Sequence, residues 1–459
     1  MNTNSSVPRF SVPRLPLRRL LARLCFIAVT VCRAAAAAET VEAEIVDVEP
    51  VWSAHPVGFC LLTSPPQQFA AYYDAERRMT VAQRRLDSRA WTFTRLPSTL
   101  GWDSHNYVTM VLDLDGFLHV SGNMHCVPLV YFRSTQPLDA ASLRREPAMT
   151  GEREKRVTYP VFLRDKAGRI VFRYRDGSSG RGDDLYNVYD EQTRSWSRLC
   201  DQPLVSGDGL MNAYCTLPKR GPDGRFHMVW VWRDTPDCAT NHDLSYARSD
   251  DLRHWTDSAG RPLALPITLQ TGEVIDPVPA GGGLLNANRE LGFDHQGRPV
   301  VTYHKYDAAG DLQIYAARRE ESGWRIVQVS QWKGYRWEFS GGGTIVAEVN
   351  IAAVRPIAEG RLALNYRYGR GSGTWVLDGQ TLQPIAGANA PPEDLAIPAS
   401  IRKIESTFPG MLKHIRPDSG QADHAAYFLV WETLPAHRDR PRQPPLPDPS
   451  PLRVVRLAR

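Results

Sequence analysis

Along most of the chain, apolar and polar residues alternate with a period of two, in short runs opened by Asp/Gly turns, the pattern of half-buried strands. The turn-and-strand unit recurs as LDGFLHVSG from Leu114, KAGRIVFRYRDG from Lys166, PDGRFHMVWVWRD from Pro222, HQGRPVVTYHKYD from His295 and AEGRLALNYRYG from Ala358. Further runs with Trp follow as closing strands: AWTFTRL from Ala90, SWSRL from Ser195, HWTDS from His254 and GWRIVQV from Gly323. The units repeat at about 50 to 70 residues, a spacing that fits propeller blades with variable loops. The fold class expected is therefore all-β, a seven-bladed β-propeller. Blades begin near residues 55, 105, 158, 212, 284, 343 and 400, and the strand 41–48 or the segment 452–457 completes the last one. Two irregular stretches, 331–343 and the Pro-rich 438–451, read as surface loops, the second mobile. No long amphipathic helix is expected.

Composition agrees: 12 Trp, 17 Tyr and 14 Phe with 34 Gly and 35 Pro suit many aromatic strands and tight turns. The first residues break the pattern. Six arginines and no acid precede Glu39, an apolar run covers Leu24 to Cys32, and Ala34 to Ala38 are small, which reads as a secretory signal over 1–38. The Arg18-Arg19 pair leaves twin-arginine export open, and either route delivers residues 39–459, a single catalytic domain, to the periplasm or outside the cell. Without the signal, 55 Lys plus Arg less six leaves 49 against 50 Asp plus Glu, so the +5 charge becomes about −1. The basic balance is thus no argument for nucleic acid or membrane partners, and anion affinity must be local. Five cysteines remain, Cys60, Cys126, Cys200, Cys215 and Cys238, without a CxxC pair, so one or two disulfides and a free thiol are expected.

Chemistry concentrates in the second to fifth units. Trp102 to Arg133 forms a hairpin about Asp115-Gly116, bracketed by His105 with Asn106 and by Asn123 with His125. His119 lies within a strand and reads as a core residue. In VTYPVF and FRYRDGSSGRGDD, alternation puts Arg173 and Arg175 on one face and Tyr174 on the other, so the arginines either pair with Asp183 and Asp184 or await an acidic ligand. The glycines of SSGRG lack the sequence of a phosphate loop. MNAYCTL contributes Asn212 and Tyr214, and VWVWRDTPDCATNHDLSYARS contributes Arg233, Asn241 and His242. Asn286, Asn288 and His304 follow, with His304 a metal ligand, a site residue or a core histidine.

These clusters supply His, Tyr, Arg and Asn but no carboxylate pair placed as in a glycoside hydrolase. β-Elimination from a uronate suits them. Cations neutralise the C6 carboxylate, a base removes the C5 proton and an acid protonates O4. In glucuronate C5–H and O4 lie on one side of the ring, so one tyrosine can serve as both base and acid if nearby His or Arg lowers its pKa.

At SHNY, HVSGNMH, VTYP, FRYRDGSSGRGD, NAY, VWVWRDTP and NHDLSYARS, between Trp102 and His304, the chain resembles secreted BNR-repeat-containing propellers that include ulvan lyases and rhamnosyl-glucuronate lyases. The resemblance implies a lyase that cuts the bond from L-rhamnose to O4 of glucuronate and leaves a 4,5-unsaturated uronate. It implies His105, His125 and Tyr159 as catalytic residues, with Tyr159 as acid and either Tyr159 itself or one of His105 and His125 as base, and Arg175 and Arg233 on the carboxylate. Asn123, Tyr174, Asn212, Tyr214 and His242 complete the expected substrate contacts. No cofactor is expected for the chemistry; the resemblance allows a structural metal ion, Ca or Zn, as some relatives hold. The expected partner is an acidic, uronate-containing polysaccharide such as ulvan or arabinogalactan, and the expected state is a monomer. A non-catalytic glycan-binding propeller and a sialidase-like hydrolase are the competing readings.

Overall fold

A computed structural model describes residues 43–392, 397–422 and 425–458; the expected signal at 1–38 lies outside them. Residues Val41–Arg459 form one compact unit. Apart from the four-residue helix Ala399–Arg402 and two short 3-10 turns, its regular structure is β. No helix among the described residues is long and apolar enough to cross a membrane.

The strands form up-and-down antiparallel meanders, as a period-two sequence with short turns requires. The first runs from Cys60–Ser64 to Thr92–Thr99 and the second from Val108–Leu112 to Leu143–Glu146. A thirteen-stranded sheet contains the next two, from Val157–Arg164 to Ser195–Arg198 and from Asn212–Cys215 to Trp255–Thr256, joined by one parallel pair, Gly182 with Asn212. The fifth spans Arg289–Phe293 to Gly323–Gln328, and the sixth is built on Arg361–Tyr368. In the last, Ala43–Val51 pairs with Ser450–Ala458, which pairs with Ala425–Thr433, so strands near both ends of the chain share one sheet. The architecture is a β-propeller built from these meanders.

Asp-Gly turns join first to second strands. Asp113 Oδ1 accepts from the backbone N–H of Asp115 and Phe117 at 3.0 and 2.8 Å, while Gly116 takes φ +86°. Asp165 and Asp294 repeat the arrangement. The second strands of the second to fifth meanders therefore start at such turns and end at the opposite edge, where Arg175 and Arg233 lie. The core lies between neighbouring sheets: Phe59 of the first meander stacks on Trp431 of the last at 4.6 Å, and Trp230 and Trp232 are fully buried. Strands such as Phe226–Arg233 are buried on both faces, hence their continuous apolar runs.

Two expectations change. All five described cysteines are free thiols, so the expected disulfides are absent among the described residues. The loop 438–451 is anchored where it meets the site. Asp439 accepts from Ser104 N and Oγ at 3.1 and 2.7 Å through one oxygen, and from Thr344 N and Oγ1 at 2.7 and 3.1 Å through the other.

Candidate active site

His105 and His125 meet on one carboxylate. Asp103 takes His105 Nδ1 at 2.6 Å on one oxygen and His125 Nδ1 on the other, and the imidazole centroids are 4.2 Å apart. His105 makes no hydrogen bond through Nε2 among the described residues, which leaves that nitrogen a donor or acceptor position. Burial opposes the Asp103 charge, but the two histidine hydrogen bonds hold its pKa well below the usual carboxylate range. Burial likewise pulls His125 down, yet its bonds to Asp103 and Cys126 outweigh it and raise its pKa to about 9.

Tyr159 owes its place to a bulge. The register of Val157–Arg164 against Ile170–Ser178 shifts between Thr158 and Val161, where Pro160 offers no N–H and Tyr159 adopts φ +58°. Tyr159 thereby lines a cavity that Arg175 also lines. Its ring is 5.6 Å from His105 and 6.3 Å from Tyr214, and its hydroxyl makes no hydrogen bond among the described residues. The short strand His125–Val127 pairs with Val157 and Thr158, which ties the second histidine to the same element. Burial, and then Tyr214, push the Tyr159 pKa above its ordinary value; Arg175, Arg233 and Arg173 oppose this without reversing it. The expected lowering by neighbouring His or Arg is therefore corrected: Tyr159 stays protonated.

Arg175 is 2% exposed, lies with Cζ 5.0 Å from the Tyr159 ring centroid, and uses only Nη2, toward Thr158 Oγ1 at 3.2 Å and Cys126 Sγ at 3.5 Å. Its Nε and Nη1 are buried without a partner. Arg173 pairs with Asp184 at 2.5 Å, and Asp183 serves Arg153 instead. Tyr159, Arg173 and Arg175 line a cavity of about 320 Å³ with Tyr107, Tyr214, Asn286 and Arg289. Arg289 donates Nη2 to the Tyr214 carbonyl at 2.6 Å, leaves Nε buried and unpartnered, and is pushed down to about 10 by burial. Across Tyr107 lies a second chamber of about 350 Å³ holding His105 and Arg416.

Other expected residues fall elsewhere. Arg233 donates Nε and Nη2 to the carbonyls of Thr235, Asp237 and Pro236 and Nη1 to Tyr214 Oη at 3.4 Å, so most of its donors are already engaged. Tyr174 points into the core on the opposite face, taking a bond from Arg198 at 2.9 Å. Asn123 turns to Ser98 and Thr99, and His242 is held between Asp234 and Asp243. Asn212 stays beside the cavity, buried, with Oδ1 unpartnered. A Cβ on Gly182 would come within 2.4 Å of that oxygen and 2.9 Å of Arg175 Cδ, so this glycine of SSGRG makes room for the arginine. His119 is a core residue bonded to Tyr131 at 2.7 Å, and His304 is one too, on the Gly283 carbonyl. Asp103, Cys126, Arg289 and Asp439 escaped the sequence reading; of these only Arg289, opening a strand in NANREL, carried a local signal.

One group of three metal-ligating side chains occurs among the described residues, Asp103, His105 and His125. It does not fit a structural ion. Both Asp103 oxygens already take imidazole donors, and three such groups make neither a four-ligand zinc site nor the six to eight oxygens of calcium.

The family model for BNR repeat-containing family members matches residues 67–332, more than half of the chain, which therefore belongs to that family. No curated protein sequence matches. The crystal structure of polysaccharide lyase Uly1 superposes with a TM-score of 0.60 at 12% identity, covering 91% of this chain and 99% of that one. A PL25 ulvan lyase, solved also with -[GlcA(1-4)Rha3S]- bound, gives 0.53 at 13% identity, covering 86% and 97%. The chain thus has the fold of a BNR-type polysaccharide lyase.

Proposed function

We propose that the protein is a secreted lyase that cleaves the rhamnosyl-(1→4)-glucuronate bond of an acidic polysaccharide by β-elimination. The observation that carries this reading is uncompensated charge: Arg173, Arg175 and Arg289 surround one cavity whose nearby carboxylate, Asp184, already serves Arg173. Arg175 and Arg289 have no ion-pair partner among the described residues, and buried guanidinium donors left open favour a planar carboxylate. Ulvan lyase structures of the same fold, one of them with a glucuronate–rhamnose 3-sulfate chain, support the substrate class.

In this reading Arg175 and Arg289 take the C6 carboxylate and stabilise the charge that develops as the C5–H bond breaks. His105, its Nδ1–H held by Asp103, accepts that proton at Nε2. The C4–O4 bond breaks as the C4–C5 double bond forms, and Tyr159, kept protonated by burial, donates to O4. His105 and Tyr159 are close enough to work on the same side of a glucuronate ring. His125 adds positive charge beside them.

The test is incubation with ulvan, gum arabic and uncharged polysaccharides, following the ultraviolet absorbance of the conjugated uronate. Absorbance growth on a glucuronate polymer alone is expected. Binding without it supports a lectin, and new reducing ends without it support a hydrolase.

A further inference from the structure

A further cavity, of about 550 Å³, shares no lining residue with the arginine cavity and is lined by Asp307, Asp311, Gln331, Trp332, Lys333 and Gln383 among others. It opens at the same edge of the sheets as the active site. The turn 307–311 follows the second strand of its meander, Pro299–Tyr306, just as the turn beyond Ile170–Ser178 follows the strand that carries Arg175.

The aromatic side chain that lines it is Trp332, itself part of a larger aromatic cluster. Trp332 stacks on Tyr368 at 4.0 Å and 6°, Tyr335 meets Tyr368 edge-on at 5.1 Å, and Tyr366 stacks on Trp375 at 3.7 Å. Trp332, Tyr366, Tyr368 and Trp375 are only partly buried, so part of this aromatic group faces water. Against it stand polar side chains with spare capacity: Asp311, Gln331 and Lys333 make no side-chain hydrogen bond or ion pair among the described residues, and Gln383 makes one long contact, 3.4 Å to the Gln328 carbonyl. Asp307, by contrast, is spent on its own turn and on Gln313.

An indole ring beside uncommitted amides and a carboxylate suits a pyranose, whose C–H faces are apolar and whose rim is hydroxyl. Charge selects among sugars. The lining carries two aspartates, one lysine and no arginine, against three arginines around the first cavity, which disfavours a uronate here and leaves a neutral sugar as the matching ligand.

The same loop joins the two sites. From Trp332 it passes Tyr335, whose carbonyl accepts from Leu312 N at 2.7 Å, and Trp337, whose carbonyl accepts from Tyr306 Oη at 2.7 Å. It then reaches Thr344, which with Ser104 grips Asp439 next to His105.

We infer that this cavity is a remote subsite for a neutral pyranose unit of the polysaccharide cleaved at Tyr159, an inference that rests on the lyase reading for its substrate. Isothermal titration with a neutral galacto-oligosaccharide and a rhamnose oligosaccharide, with glucuronic acid as charged control, tests it on the whole protein. Gln331→Arg puts a long cation into the cavity from an exposed position without disturbing the aromatic stack, and Trp332→Ala removes one wall. At least one neutral probe is expected to bind, and both variants to weaken it by at least about tenfold, with turnover of a short uronate substrate unchanged for Gln331→Arg. No binding of either neutral probe, undiminished binding by Gln331→Arg, or tighter binding of glucuronic acid at this cavity overturns the subsite. If neutral binding depends on these residues while no uronate polymer is cleaved, the pyranose site stands and the lyase reading fails.

Discussion

The Arg175 guanidinium lies over the Tyr159 ring, Cζ 5.0 Å from its centroid, with Nε and Nη1 buried and unbonded. An arginine so placed is a waiting ligand rather than a structural cation, since its pairing capacity is unfilled while a hydroxyl with no partner stands beside it. Arg175→Ala should therefore raise KM for uronate substrates far more than Arg173→Ala changes carboxylate recognition, because Arg173 is already neutralised by Asp184. Steady-state kinetics on both variants, with circular dichroism to confirm folding, checks this.

Gly182 supports that arginine. Gly182→Ala places a methyl against Arg175 Cδ and Asn212 Oδ1, so uronate affinity should fall roughly tenfold or more, while the thermal midpoint changes little. Binding measured with a Tyr159→Phe background, which holds substrate uncut, gives the comparison.

The Asp103 bridge predicts a proton on His125 at neutral pH. Its folded pKa, about 9, lies above the ordinary histidine value, so the stability it contributes is fully present below about 6.5 and is lost as pH rises through about 9. In Asp103→Asn the imidazolium loses its carboxylate, and histidine NMR titration should find His125 titrating well below its wild-type value. An unchanged titration would remove Asp103 as the cause.

Cys126 should be the reactive thiol. Burial opposes its ionisation, but His125, Thr158 and Arg175 lower its pKa to about 7, whereas burial raises Cys60, Cys200, Cys215 and Cys238. Mass spectrometry after brief iodoacetamide treatment at pH 7 should find Cys126 alkylated first among these five, and a uronate oligosaccharide should slow the reaction through Arg175.

Much of this was legible in the sequence because strands write themselves in period two. Alternation put Arg173 and Arg175 together and Tyr174 away, and Asp-Gly turns marked the far end of each second strand. Alternation alone did not say that Tyr174 leaves the site entirely for Arg198. What escaped depends on contacts across meanders: Asp103 bridges two histidines from an irregular loop, Asp439 reaches Ser104 from 335 residues away, and Arg289 enters from the fifth meander. The Tyr159 pKa went astray for the same reason. Nearby arginines were visible as letters, but the burial that outweighs them is set by strands distant in sequence.

The central claim is that Tyr159 protonates the leaving oxygen in an elimination. Its most direct test compares wild type and Tyr159→Phe for the initial rate of unsaturated-uronate absorbance on a polymer that both bind. The account predicts that the variant binds within a few-fold of wild type and loses roughly two to four orders of magnitude in turnover, the usual share of a general acid. Turnover near the wild-type rate in Tyr159→Phe would contradict it.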